Sequence, residues 1–209
     1  MAQLFYIHPE HPQVRLIRHA VEIIRDGGLV ALPTDSAYAL VGHIGDAKLL
    51  DRIRSIRGVD ERHQFTLMCR DLSQIANYAR VDNTQFRLLK SCTPGSYTFI
   101  LEGSKELPRR VLHPKRKTLG LRVPDHAVVR MLLDELGEPL LTSTLILPGA
   151  EAPLSDSQEI RDTLGQQLDL VIDAGPCGGE MTTVINLVGG AIELVRAGRG
   201  SLAPFGLEE

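Results

Sequence analysis

The sequence contains no tryptophan, and aromatic residues make up only 4% of its 209 positions. Its core must therefore be aliphatic. Cysteine is scarce: Cys69, Cys92 and Cys177 are odd in number, widely spaced and form no C-x-x-C pair. That excludes a disulfide framework and predicts free thiols in a reducing compartment. No apolar run approaches the ~20 residues needed to cross a bilayer, and no basic stretch followed by an apolar one opens the chain. These features predict a cytoplasmic protein with no membrane partner. G-x-x-x-x-G-K-[ST] is absent, as are G-x-G-x-x-G and G-x-S-x-G. The simplest phosphate-loop, dinucleotide and nucleophile-elbow readings are thereby removed. His8 and His11 have no third ligand nearby, so no metal site is expected.

What remains is an ordinary globular composition. Apolar residues are 43% and charged residues 23%, with mean hydropathy near zero, which excludes a fibre or a disordered tail. A chain of this length can bury roughly 70% of its unfolded surface, enough for one domain without staples. The 19 Gly and 12 Pro predict many turns between short elements. Charge is uneven along the chain. Lys48 to Arg122 holds 16 Lys/Arg against 7 Asp/Glu, a local net of +9, while the rest carries −12. A basic section in an acidic chain invites an anionic partner. Alternatively, the two sections interleave on folding and the asymmetry disperses.

Periodicity and punctuation give the elements. Leu4 to Ile7 reads as a strand. Pro12 is placed as the first residue of a helix with Val14, Ile17, Val21 and Ile24 on one face, stopped by Gly27-Gly28. Leu29 to Pro33 is a buried strand entering the polar turn Thr34-Asp35-Ser36. Asp46, Asp71, Asp82 and Asp125 are expected to cap helices, and Asp156 to Leu164 forms another. Further strands are expected at Phe65 to Cys69, Tyr97 to Leu101, Leu119 to Val123, Leu140 to Leu147, Leu168 to Ile172, Thr183 to Leu187 and Ile192 to Val195. Residues 103–118, basic and interrupted by Pro108 and Pro114, read as an ordered loop or short helical turn. Alternating strands and helices with a strand-rich end imply a single-domain α/β fold on a twisted, open mixed sheet.

Three groups of residues carry candidate chemistry. Pro33 to Leu40 places Thr34, Asp35, Ser36 and Tyr38 at the end of a buried strand, where α/β sheets bind ligands. The same segment also reads as an Asx-type turn with Tyr38 packed in the core. Arg52, Arg54 and Arg57, followed by His63, form a basic helix end, which also relieves the helix dipole. Thr98, Thr142-Ser143-Thr144, Thr182-Thr183, Arg122 and Arg196 fall at strand ends. Convergence of these hydroxyls and guanidiniums on one mouth suits a ligand carrying carboxylate and phosphate. Arg122, just before Pro124, is expected to meet that carboxylate or phosphate. Threonine is also favoured in strands for its own sake.

Taken in order, these segments resemble the YrdC/YciO family. The matching pieces are Pro33-Thr34-Asp35-Ser36-Ala37-Tyr38-Ala39-Leu40, Pro94-Gly95-Ser96-Tyr97-Thr98, Arg122-Val123-Pro124, Pro139-Leu140-Leu141-Thr142-Ser143-Thr144, Thr182-Thr183-Val184-Ile185-Asn186-Leu187 and Arg196-Ala197-Gly198. The resemblance spans about residues 14 to 200, and Phe65 to Leu72 looks most like the YciO branch. It implies an open sheet with a concave, basic face, and threonylcarbamoyl-AMP synthase chemistry from L-threonine, bicarbonate and ATP with Mg, used in tRNA modification. By that resemblance Thr34, His63, Arg122 and Thr183 would hold the amino acid, with Asp35 and Tyr38 beside them. Arg57, Thr98, Thr144 and Arg196 would lie towards the nucleotide. It also implies binding of double-stranded RNA or tRNA, for which Arg52, Arg54, Arg109, Arg110, Lys115, Arg116 and Lys117 are the candidates. Two positions depart from the family's pattern. Ser55-Ile56-Arg57 stands where the family has Lys-x-Arg, and Thr144-Leu145-Ile146 where it has Ser-x-Asn. A serine cannot supply the lysine's charge to a phosphate. The resemblance therefore implies a weakened synthase or an RNA-binding protein that keeps a small-molecule pocket.

Overall fold

Short-range signals set the six helices. The computed structural model describes residues 1–207. Helix α1 (Val14–Arg25) buries Ile17, Ala20, Val21 and Ile24 on one face. It starts two residues after Pro12, because the carbonyl of Gln13 accepts the first helical N–H bonds, from Leu16 and Ile17. Aspartates cap four of the others: Asp46 on α2 (Ala47–Arg57), Asp71 on α3 (Leu72–Tyr78), Asp82 on α4 (Asn83–Cys92) and Asp156 on α6 (Ser157–Leu164). Each carboxylate accepts a backbone N–H that the first turn leaves free. Asp125 does not cap α5 (Ala127–Leu136), whose N-cap is His126 with no side-chain bond. The Asp125 carboxylate pairs with Arg130, and its N–H donates to Asp35. Gly58, in the left-handed region at φ 60°, ends α2 and turns the chain behind Arg57.

Ten strands form one mixed sheet: β1 (Gln3–Tyr6), β2 (Val30–Leu32), β3 (Ala39–His43), β4 (Thr66–Met68), β5 (Tyr97–Glu102), β6 (Thr118–Arg122), β7 (Leu140–Thr144), β8 (Leu170–Asp173), β9 (Thr183–Asn186) and β10 (Glu193–Arg196). Their order is β1-β8-β2-β3-β7-β4-β6-β5-β9-β10. β3 was not expected, since the polar turn before it masks a strand of only five residues. β7 stops at Thr144 rather than Leu147, because the Ile146 N–H turns back to the Thr144 carbonyl at 3.0 Å.

The sheet separates two apolar layers. On one face α2, α3, α4 and α6 pack against Leu40, Leu67, Phe99, Leu121 and Ile185. On the other, α1 and α5 cover β1, β8, β2 and β3 and the ends of β4 and β7 through Val21, Ile24, Val30, Val41, Met68, Val129 and Leu132. β5, β6, β9 and β10 contribute nothing to that second layer. Half of one sheet face is therefore left without a helix over it. Side chains alternate along a strand, so that bare half presents Thr66, Thr98, Thr142 and Val184 rather than their core-facing neighbours.

Candidate functional site

A cavity of about 410 Å³ occupies this bare face. Its floor is set by register. Thr142 of β7 lies beside Thr66 of β4, which lies beside Gly120 of β6. A side chain at Gly120 would not fit, since a Cβ there would stand 2.5 Å from Thr66 Oγ1 and 2.9 Å from Thr98 Cγ2. The hydroxyl floor thus depends on that glycine. Three guanidiniums, those of Arg57, Arg122 and Arg196, and the imidazole of His63 form the walls, and among the described residues no carboxylate lines the cavity.

Each cation is fixed from behind. Arg57, at the C-terminus of α2, donates from Nη1 to Ser143 Oγ and to the Thr144 carbonyl, both at 2.6 Å. Its Nε is buried without a partner. Ser143 Oγ lies 3.0 Å from His63 Nε2. Because an arginine can only donate, Ser143 Oγ accepts from Arg57, and its proton and second lone pair let it donate to or accept from His63 Nε2 according to the ring's tautomer. Burial, and then the nearby Arg57 and Arg54, push His63 down to about 4, so the ring is neutral near pH 7. Arg196 donates from Nε and Nη2 to the Thr182 carbonyl at 3.1 and 2.9 Å. Burial lowers both Arg57 and Arg196, and in each case a second arginine adds to the effect. Arg57 and Arg196 therefore bring to the cavity positive charge that no carboxylate among the described residues pairs with.

Arg122 is held differently from the expectation that it meets a ligand's carboxylate. Its fork is taken inside the protein, by Asp35 through Nη2 and by Ser36 Oγ at 3.3 Å through Nη1. Both side chains are nearly inaccessible, at 7% and 10% exposure. Only Nε of Arg122 lacks a partner. Asp35 also accepts from Ser96 Oγ and the Asp125 N–H, so it is a structural counter-charge lying behind the cavity.

The other expected residues divide. Thr98 and Thr144 line the cavity, and Thr98 Oγ1 is 2.9 Å from Thr182 Oγ1. Thr34 does not line it: its hydroxyl closes the turn by donating to the Ala37 carbonyl at 2.7 Å. Tyr38 borders the cavity, but its hydroxyl donates to the Ile172 carbonyl at 2.9 Å, which is the packed-core alternative. Thr183 also lies behind, donating to Gly200 O at 2.6 Å and accepting the Gly198 N–H. The residue facing the cavity is its neighbour Thr182, on the same side as Val184. Strand alternation was the available signal for choosing 182 over 183. Thr66, Gln64 and Gly120 carried no such signal, because only register brings them together.

None of the seven basic residues expected to meet RNA lines the cavity. Arg52 is anchored to Asp169 at 2.7 Å and to the carbonyls of Gly27 and Gln167. Arg54 pairs with Asp51 and lies over the Phe65 ring at 5.5 Å. Arg110 donates to the carbonyls of Ile44 and Gly45, and Lys117 to that of Pro114. Arg109, Lys115 and Arg116 are exposed. The basic segment is thus partly spent on internal contacts rather than gathered into one rim.

The fold and the site together define an open-sheet α/β protein with a cationic, hydroxyl-floored cavity. A family model for Sua5, YciO and YrdC proteins, described as "Telomere recombination", matches residues 22–198, and the chain belongs to that family. It is 53% identical over 205 residues to the "Uncharacterized protein YciO" of Escherichia coli K12, covering 98% of this chain and all of that one. The crystal structure of E. coli YciO superposes with a TM-score of 0.95 over the same shares of the two chains. The threonylcarbamoyl-AMP synthase of Mus musculus is 31% identical over 190 residues, 87% of this chain and 66% of the synthase. P. abyssi Sua5 complexed with L-threonine is 25% identical with a TM-score of 0.85, over 93% of this chain and 57% of that one.

Proposed function

We propose that the cavity binds a small, acceptor-rich anion of the threonylcarbamoyl-adenylate kind, with an amino-acid part and a phosphate part. The observation that carries this reading is the pair of guanidiniums of Arg57 and Arg196, which line the cavity with no carboxylate paired to them among the described residues. Guanidiniums pair with phosphate and carboxylate with geometric specificity. The related synthases and the L-threonine complex of Sua5 support the same ligand class. Arg57 and Arg196, with Thr98 and Thr144, are assigned to the phosphate part, and His63 with the free Nε of Arg122 to the amino-acid part. Because no carboxylate lines the cavity, Mg would enter on the nucleotide's phosphates rather than on a protein ligand.

The adenylation step itself is expected to be slow. Ser55 is exposed on α2 and Ile146 is half-buried after β7, so neither offers the charge or the amide that the family pattern has there. Calorimetry with L-threonine and with ATP, alone and together, should show binding of both. Pyrophosphate release with bicarbonate present should be far slower than in a family member with both motifs. Ser55→Lys with Ile146→Asn should raise that rate; no gain, with binding intact, points to a pocket turned to another ligand.

A second reading rests on Arg109, Lys115 and Arg116, three exposed cations on a surface segment interrupted by Pro108 and Pro114. No aromatic residue lies among them, so contacts to phosphates and duplex shape are expected rather than base stacking. Duplex RNA should bind with little sequence preference. A Lys115→Ala/Arg116→Ala/Lys117→Ala variant should lower the log–log salt slope by roughly 1 per lost phosphate contact. An unchanged slope and affinity would remove the RNA reading and leave the pocket reading intact.

A further inference from the structure

Thr142 combines two properties that the fold by itself does not require. Its side chain lines the cavity, yet the residue is only 3% exposed and its Oγ1 is buried with no protein partner. The backbone of Thr142 is fully occupied in the middle of the sheet, paired with Val41 of β3 and Thr66 of β4. Valine has nearly the same shape as threonine and a higher affinity for such a site, since a buried hydroxyl without a partner is destabilising. Threonine therefore costs stability at a position where its apolar counterpart would fit. The same condition recurs nearby: Arg57 Nε, Arg122 Nε and Gln64 Nε2, all on residues lining this cavity, are also buried without partners. Four unmet polar groups on residues around one cavity form half of a hydrogen-bonding pattern, and the ligand is the group that can complete it.

We propose that Thr142 determines ligand specificity, by hydrogen-bonding a neutral polar group that lies across the floor between the Arg57 and Arg122 walls. This inference rests on the reading of the cavity as an anion site and adds what the middle of that anion must carry: a hydroxyl, amide or carbamoyl group. The guanidiniums take the charged ends, whereas a threonine hydroxyl offers one donor and two acceptor positions suited to an uncharged group. Gly120 beside Thr66 keeps the floor low enough for that group to lie flat. Rotation about χ1 by one staggered well moves Oγ1 into the place of the methyl and the methyl into that of the hydrogen, so the hydroxyl can turn towards the cavity without backbone movement.

The test compares the wild type with Thr142→Val and Thr142→Ser, first by thermal melting without ligand and then by calorimetry with L-threonine and ATP. Thr142→Val is expected to melt at or above the wild-type temperature without ligand and to bind at least ~10-fold more weakly, the factor that a lost hydrogen bond of about 1.4 kcal/mol gives. Thr142→Ser should retain most of the affinity. A stability gain together with an affinity loss is a result that a merely structural threonine cannot produce. Lower melting of Thr142→Val without ligand would overturn the proposal by revealing an internal partner. Unchanged affinity in that variant, with the wild type binding, would overturn it while sparing the pocket reading. Failure of the wild type to bind either ligand would instead overturn the pocket reading itself.

Discussion

Arg122→Ala is expected to lower the melting temperature by about 10 °C, as the loss of one member of a buried ion pair costs about 3–5 kcal/mol and each kcal/mol moves a chain of this size by about 2–4 °C. The damage is done by the partner left behind. Asp35 would keep its charge inside the protein, with only the Ser96 hydroxyl and the Asp125 N–H to stabilise it. Asp35→Asn combined with Arg122→Met removes both charges, and it should recover a large part of the loss, because an apolar replacement of a whole buried pair is often nearly neutral. A single Arg122→Ala variant melting within about 2 °C of the wild type would show that Asp35 is solvated and that the pair holds nothing. Stability and ligand affinity must be measured separately here, since Arg122 lines the cavity as well as bracing the fold.

Arg57→Gln is expected to weaken phosphate and nucleotide binding by about 100-fold, the upper range for a charge-assisted hydrogen bond. The loss should shrink as salt rises, since one of the cavity's uncompensated charges has gone. His63 makes the same site sensitive to pH. It is neutral in the free protein down to about 4, and an anion beside it favours the protonated ring. Binding should therefore take up a proton and tighten as pH falls from neutrality towards 4. Stability moves the other way. The unfolded ring takes its proton near ~6.5 and the folded one only near 4, so the unfolded state holds more protons in between. Stability is lost as pH falls from about 6.5 to about 4, by on the order of 1–2 kcal/mol once screening of the partly exposed ring is allowed for. His63→Gln should flatten both dependences, measured by calorimetry in two buffers of different ionisation enthalpy and by urea melts across that range. A His63→Gln protein with the wild-type pH profile would move the titrating group elsewhere.

The elements that could be read from the chain were those whose cause is local. Asp46, Asp71, Asp82 and Asp156 cap helices because each side-chain oxygen reaches an N–H two or three residues ahead. That geometry is complete within one turn. Asp125 looks the same in sequence and behaves differently: its carboxylate is taken by Arg130, and its backbone N–H donates to Asp35. The short β3 was hidden for a similar reason: Ala39–His43 becomes a strand by pairing with β2 and with β7, which lies about a hundred residues further along. The family resemblance found the segments that surround the cavity, and the family match confirms it over residues 22–198.

Four of the helix caps, the aliphatic core, the α/β alternation and the family are legible in the chain alone. Which polar groups meet is settled by the folded arrangement. Arg122 and Asp35 are 87 residues apart, Arg57 and Ser143 are 86 apart, and Thr182 rather than Thr183 faces the cavity. Such choices depend on strand register and on which face of the sheet the helices leave bare. A shift of one residue in register would carry the strand-borne side chains among these, those of Arg122, Ser143 and Thr183, to the opposite face.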